Sequence, residues 1–445
     1  GSNASDTSLA DAAPSCGAVF YRCAEARLRL SRRDAALRDA LAAATETRTR
    51  LAEAPRSEGL ESMCAATDPI QWQSRPLFYY AITHALGAAL WTPTAMEQMG
   101  FERRQNEELT YWYRPPRKGA GAPAASSGGE RDAAGEAAPG RGASAGAASG
   151  ASAAGSAGSA GSAAAAATAS DAIVFIHGVG VGPAPYAKFL GALAAADEST
   201  PMVAFELGAV AQRAFPRTPP SPDRFAELAD GALAREGIGR ATIMGHSLGS
   251  AFARYWAARD EGGRVGGLVL IDPICCMLHH PDTSRSFVYT PLDTAKERLE
   301  NFFVKKELFT SHVIARHLPW FEAELWLDDC SPRTPTLVAV SEDDAIVPTH
   351  KVRQVFGSWS ARIQYGVRVM TMPRMTHGAW LADEAAMASL VASSLELHNE
   401  AGRNGKLDAL RAGVVESAAA ALPQSMSLGS VKRRFDESGF WMRGE

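Results

Sequence analysis

Ala241-Thr242-Ile243-Met244-Gly245-His246-Ser247-Leu248-Gly249 is the stretch that decides how this chain of 445 residues is read. Its first four residues have the makings of a buried strand, and the run Ala251–Arg259 that follows has the spacing of a helix. Between them stands Ser247, with a glycine two residues to either side. A strand that turns abruptly into a helix strains the residue at the turn and crowds its neighbours, and glycines remove the Cβ atoms that would clash. The new helix also aims its first amides at any negative charge that develops beside the serine. A bare Gly-x-Ser-x-Gly arises often by chance; the strand before it and the helix after it set this one apart.

A serine hydroxyl is a weak nucleophile and needs a base, which in turn needs an orienting acid. His377, in Met375-Thr376-His377-Gly378, follows the apolar run Gly366–Met372 and is the candidate base, against the alternative of an ordinary surface or capping histidine. His246 adjoins Ser247, so its side chain is expected to point elsewhere; His279 and His280 read as solvated or packing residues. For the acid, Ser341-Glu342-Asp343-Asp344-Ala345-Ile346-Val347-Pro348 follows the run Pro335–Val340. Asp344 is favoured for its place before the apolar anchor, with Asp343 the near competitor and turn formation the plain alternative for both. Asp272 is an outside candidate that reads better as a cap on the turn made with Pro273. Developing charge also needs donors. The buried run Ile173–Ile176 leads into His177-Gly178-Val179-Gly180, where the Val179 amide would face the Leu248 amide and His177 would brace the loop.

Around these motifs the chain alternates. Short apolar runs at 172–177, 201–207, 241–245, 267–272, 335–341 and 366–372 are separated by helical patterns at 184–196, 222–236 and 250–259. Strands alternating with helices imply an α/β protein with a mostly parallel central sheet covered on both faces. Residues 274–332 form a long helical insertion between two strands, sized for a lid and rich in rings: Phe287, Tyr289, Phe302, Phe303, Phe309, Trp320, Phe321 and Trp326. These rings read as a wall for an apolar acyl group or as simple packing. Upstream, helices are expected over 16–54, 76–91 and 94–105, then a strand at Leu109–Arg114 ended by Pro115-Pro116.

The region 172–398 resembles the α/β-hydrolase fold superfamily, in its lipase- and esterase-like serine hydrolases. The resemblance rests on His177-Gly178-Val179-Gly180, Gly245-His246-Ser247-Leu248-Gly249, the acid loop around Asp344 and the His377-Gly378 loop, in the order Ser247…Asp344…His377. Ile271-Asp272-Pro273-Ile274-Cys275-Cys276-Met277-Leu278-His279, followed by a lid, is similar in particular to a eukaryotic group found in fungi, plants and algae. The resemblance covers about half of the chain and implies cleavage of a carboxylic ester, with Ser247 as nucleophile and the Val179 and Leu248 amides as oxyanion hole. Thioesterase chemistry differs only in the leaving group. A non-catalytic binding protein on the same scaffold is the reading from another class. Epoxide hydrolase and dehalogenase chemistry is disfavoured, because those fold relatives carry Asp where Ser247 stands.

Composition bounds the rest. Apolar residues make up 46% and charged residues 21%, the balance of a globular protein with a sizeable core. The net charge of −4 argues against nucleic acid as a partner, and the local exception, Lys432-Arg433-Arg434, reads as a solvated face. Six scattered cysteines make neither a disulfide scaffold nor a zinc site and favour a reducing, intracellular setting. Gly1-Ser2-Asn3-Ala4 reads as a cloning scar or a processed start, so no targeting segment is inferred either way. No metal or organic cofactor is called for; the expected partner is a small-molecule or lipid ester, with peripheral membrane contact through the N-terminal helices, notably Leu77–Trp91, or the lid. From Gly119 to Ser170, 44 of 52 residues are Ala, Gly or Ser, a tract with nothing to bury. The expected organisation is a helical extension over 1–107 and a hydrolase domain over 108–398. Within the domain lie a disordered insertion at 117–170 and the lid at 274–332. A helical tail over 399–445 completes the chain, with an amphipathic helix at Leu407–Leu422.

Overall fold

A computed structural model describes residues 65, 68–117, 170–213, 216–289 and 294–420. The helix expected over 16–54, the Ala/Gly/Ser tract up to residue 169 and the chain beyond 420 lie outside the described residues.

Eight strands form one sheet: β1 (Glu102–Asn106), β2 (Leu109–Arg114), β3 (Ser170–Ile176), β4 (Met202–Glu206), β5 (Ile238–His246), β6 (Val265–Ile271), β7 (Thr336–Ser341) and β8 (Val367–Met372). Their spatial order is β1-β2-β4-β3-β5-β6-β7-β8. β1 and β2 run antiparallel to their neighbours, and β4 through β8 pair in parallel. Alternation along each strand feeds two cores. Ala172, Val174 and Ile176 of β3 join Leu268 and Leu270 of β6 beneath the helices Pro222–Arg235 and Leu248–Ala258. Ile173 and Phe175, with Val269 and Ile271, pack on the other face against Phe189 and Leu193 of helix Ala187–Ala196 and Leu390 and Leu397 of helix Glu384–Ala420. Both faces are covered, so the inner strands read as continuous apolar runs.

One sequence expectation is corrected here. The helix expected over 94–105 stops at Gln98, and Glu102–Asn106 is the edge strand β1. Gly100, at φ +83°, closes the helix in a conformation that favours glycine. β1 then turns through Glu107 and Glu108 to pair Asn106 with Leu109. Its four leading residues are exposed, and charge on an edge strand protects it from further pairing. The hairpin therefore straddles the boundary placed at residue 107. The helix Glu384–Ala420 likewise runs through the boundary placed at 398.

The strands on either side of the Ala/Gly/Ser tract lie in the same sheet. Arg114 at the end of β2 and Ile173 near the start of β3 both pair with Met202 of β4, so the chain leaves and re-enters at one end of the sheet. The insertion 274–332 is a set of short helices, much of it core: Ile274, Cys275, Cys276, Leu278, Val313, Ile314, Trp320 and Leu325 are all buried.

Candidate active site

The site forms where β3, β5, β6, β7 and β8 end. Ser247 follows β5 at φ 52°, ψ −120°, a backbone conformation that costs a non-glycine residue energy and persists only where its surroundings enforce it. Its amide donates to the Ile271 carbonyl at 2.9 Å, tying the turn to the neighbouring strand. A Cβ on Gly245 would lie 2.6 Å from the Gly249 carbonyl oxygen, and one on Gly249 would collide with the Ile176 carbonyl. Neither position has room for a side chain, which accounts for the two glycines of the motif.

His377 reaches Ser247 from the loop after β8. Its Nε2 is 2.9 Å from Ser247 Oγ, and its Nδ1 is 2.7 Å from Asp344 Oδ2. Asp344 is held in turn: its Oδ1 accepts the amides of Ile346 at 2.7 Å and Val347 at 2.9 Å, so the apolar anchor after it also fixes the carboxylate. Of the two neighbouring acids, Asp344 is the one that touches the imidazole, while Asp343 is exposed and donates its amide to the Met375 carbonyl. Burial drives the His377 pKa down, but the hydrogen bond to Asp344 and the charges of Asp344 and Asp272 outweigh it, leaving the group above its ordinary value of 6.5.

The loop after β3 is fixed from two sides. His177 is fully buried; its Nε2 accepts the Leu207 amide at 2.9 Å, so its Nδ1 carries the proton and donates to the Gly178 carbonyl at 2.6 Å. Burial holds its pKa down at about 4, and it stays neutral. A Cβ on Gly178 would come within 2.9 Å of the Ser247 Cβ, so only glycine allows this approach. The Gly178 amide donates to Tyr186 Oη and the Gly180 amide to the Val210 carbonyl. Val179, between them, takes part in neither contact and lines the cavity beside Ser247.

Two residues matter more than the sequence suggested. Asp272, at the end of β6, is wholly buried with φ +42° and does more than cap a turn. Its carboxylate accepts the Ser341 amide at 2.7 Å, the Ser341 hydroxyl at 3.1 Å and the Gly378 amide at 2.9 Å. Burial alone would raise its pKa, but the nearby imidazoles of His246 and His377 and the Gly378 amide keep it below the ordinary carboxylate value. His246 Nδ1 lies 2.7 Å from Tyr186 Oη, and its Nε2 stands 3.8 Å from Asp272, with no hydrogen-bond partner among the described residues. Burial lowers its pKa against the pull of the Asp272 and Asp344 charges. The Asp-Pro pair after a strand was the only sequence signal for this arrangement, and nothing marked Tyr186.

Asp272, Asp344 and His377 bring ligand-type atoms within 4.8 Å of one another. Each is engaged in hydrogen bonds within the protein.

Ser247 and His377 open on a cavity of about 340 Å³ walled by Val179, Val181, Phe287, Val304, Ile346 and Leu381. Of the eight insertion rings, Phe287 is the one lining this cavity. Trp320 is buried in the core, Phe309 packs on Tyr80, and Trp326 stacks on His279. Lys305 and Glu300, 3.5 Å apart, close one side. A cavity of about 530 Å³ bordered by Arg103, Arg213 and Glu206 includes none of the residues around Ser247.

Residues 171–319 match the family model described as the alpha/beta hydrolase fold. Solved structures similar to this chain include a membrane phospholipase A described as a bacterial virulence factor (16% identity, 72% of this chain and 95% of that one, TM-score 0.44). They include a carboxylesterase from Bacillus subtilis (13% identity, 72% and 98%, TM-score 0.42). A monoacylglycerol lipase from Paleococcus ferrophilus is also similar (17% identity, 51% and 94%, TM-score 0.37). No curated protein matches the chain. The chain has the α/β-hydrolase fold, with its sheet mostly parallel and helices on both faces.

Proposed function

We propose that this protein is a serine hydrolase that cleaves a carboxylic ester with a hydrophobic acyl group. The observation that carries the reading is the relay Ser247–His377–Asp344, with contacts of 2.9 and 2.7 Å, opening on an apolar cavity of ligand size. Ser247 Oγ attacks the ester carbonyl carbon while its proton passes to His377 Nε2. Asp344 holds the Nδ1 proton and stabilises the imidazolium. The carbonyl oxygen gains the charge, and the amides of Val179 and Leu248 receive it, the second at the start of the helix Leu248–Ala258. When the tetrahedral adduct collapses, the alkoxide leaves with the proton from Nε2. Water then attacks the acyl-enzyme, giving its proton to His377, and Ser247 is released with the acid product. The helical insertion 274–332, which supplies Phe287 and Val304 to the cavity, acts as the lid in this reading. The likeness of Ile271–His279 to the fungal, plant and algal group belongs to the same proposal.

A series of p-nitrophenyl esters of increasing acyl length tests it. Turnover by the wild type, lost in Ser247→Ala by a factor approaching ~10⁶, supports the reading. Equal turnover by both proteins sinks it.

A further inference from the structure

The stretch Leu77–Trp91, Leu-Phe-Tyr-Tyr-Ala-Ile-Thr-His-Ala-Leu-Gly-Ala-Ala-Leu-Trp, contains no Asp, Glu, Lys or Arg. It folds as a helical turn, Leu77–Thr83, continued by π-helical turns, His84–Trp91. Its inner side is accounted for: Tyr80 is buried against Phe309, and Gly87 is buried where an added Cβ would lie 3.8 Å from the Val181 side chain, in the wall of the Ser247 cavity. Its outer side is not. Phe78 is 66% exposed, Ile82 51%, Leu86 57% and Leu90 61%. These four recur every fourth residue and so form one ridge. Leu77, the residue before Phe78, is exposed as well, and Trp72 and Trp91, which flank the four in sequence, are half-exposed.

The ridge continues onto the insertion. Tyr79 packs its ring on Phe302 and Phe303, and both of those rings, with Leu299, are exposed in turn. The next two residues, Val304 and Lys305, line the cavity. One short segment thus shows its rings to solvent and its following side chains to the space above Ser247. A contiguous apolar patch of this kind is rare on a protein surface without a partner.

We infer that this ridge, with Leu299, Phe302 and Phe303, is the face on which the protein docks to a phospholipid bilayer, taking its ester from the lipid phase. The inference deepens the proposed ester hydrolysis and rests on it for the substrate. The bilayer is favoured over other occupants by three features. The ridge and the cavity share walls, at Gly87 against Val181 and at Phe303 beside Val304, so whatever covers the face lies against the site. The half-exposed tryptophans that flank it in sequence, Trp72 and Trp91, suit the boundary between headgroups and acyl chains. Two cations beside the face are already engaged: Arg75 lies over the Phe302 ring and donates to its carbonyl, and Lys306 donates to Gln71 and the Val288 carbonyl. Docking through apolar insertion alone is insensitive to salt and does not require anionic lipid.

Flotation of the full chain with phosphatidylcholine vesicles, at low and high salt, tests this against the variant Phe78→Ser/Ile82→Ser/Leu86→Ser/Leu90→Ser. The wild type is expected to float at both salt concentrations. The variant should lose partition by ~10²-fold or more, given the apolar area removed. It should still hydrolyse a water-soluble p-nitrophenyl ester at the wild-type rate, since none of the four side chains lines the cavity. A wild type that stays at the bottom overturns the inference, because the face is then covered by another part of the chain or by a second copy. So does a variant that floats as well as the wild type, or flotation that needs anionic lipid and is reversed by salt. Absence of soluble-ester hydrolysis counts against the proposed function, while flotation still decides the docking face.

Discussion

The carboxylate of Asp272 accepts the backbone amide of Gly378 at 2.9 Å, one residue beyond His377. Through that bond a fully buried acid just after β6 holds the loop that presents the imidazole, and the same carboxylate faces His246, whose other nitrogen meets Tyr186. Tyr186 in turn accepts the Gly178 amide. A line of polar groups therefore joins the loop after β3 to the loop after β8, beneath the serine.

Asp272 acts on His377 in two ways, by position and by charge. Its negative charge, with that of Asp344, raises the imidazole pKa against burial and against the opposing charge of Lys305. In the proposed mechanism His377 must be neutral to accept the Ser247 proton, so the acid limb of kcat/KM is expected above pH 6.5. Asp272→Asn removes the charge and moves that limb to lower pH. It also leaves one of the donors from Ser341 and Gly378 poorly paired, so kcat should fall by between ~10- and ~10²-fold through misplacement of the base. A pH profile of the variant against wild type checks both.

His177 couples the same region to stability. Its pKa is near 6.5 when unfolded and about 4 when folded, because burial disfavours the charge. The unfolded chain therefore binds the extra proton first, and stability falls as pH drops from 6.5 towards 4. A depression of this size corresponds to about 3 kcal/mol over that window. Denaturant midpoints at pH 7 and 4.5 should show the loss. His177→Gln should be less stable at pH 7 and show a flatter dependence on pH.

The Ala/Gly/Ser tract should be dispensable. Arg114 and Ile173 pair with the same residue of β4 from opposite sides, so the gap is about two strand spacings, roughly 10 Å. A few residues span that distance, and loop closure costs little more for long loops than short ones. Replacing 118–169 by a six-residue Gly/Ser linker is expected to leave the melting temperature and ester turnover at wild-type values. Loss of folding would mean that the tract contributes structure.

What could be read from the sequence follows a physical division. The turn at Ser247 was legible because its glycines are demanded by backbone collisions with Gly249 and Ile176, a local necessity that leaves a local pattern. The inner strands were legible because burial on two faces makes them continuous apolar runs. β1 was not, since an exposed edge strand such as Glu102-Arg103-Arg104-Gln105 carries no apolar alternation and Gly100 alone marks the end of the helix before it. Asp344 was favoured over Asp343 only for the apolar residues after it, and what separates them in the fold is which carboxylate the chain turns towards His377. The roles of Asp272, His246 and Tyr186 lie in contacts across 60 to 106 positions of chain, where no spacing rule reaches. Among the insertion's rings, composition could not tell Phe287, at the cavity, from Trp320, in the core.

The central claim is that Ser247 is an activated nucleophile. The most direct test is to treat the folded protein with a fluorophosphonate probe and locate the adduct by peptide mass spectrometry. A single adduct on Ser247, lost in Ser247→Ala and strongly slowed in His377→Ala, is the predicted result. An unmodified Ser247 in folded protein, with the cavity opened by detergent, would contradict it.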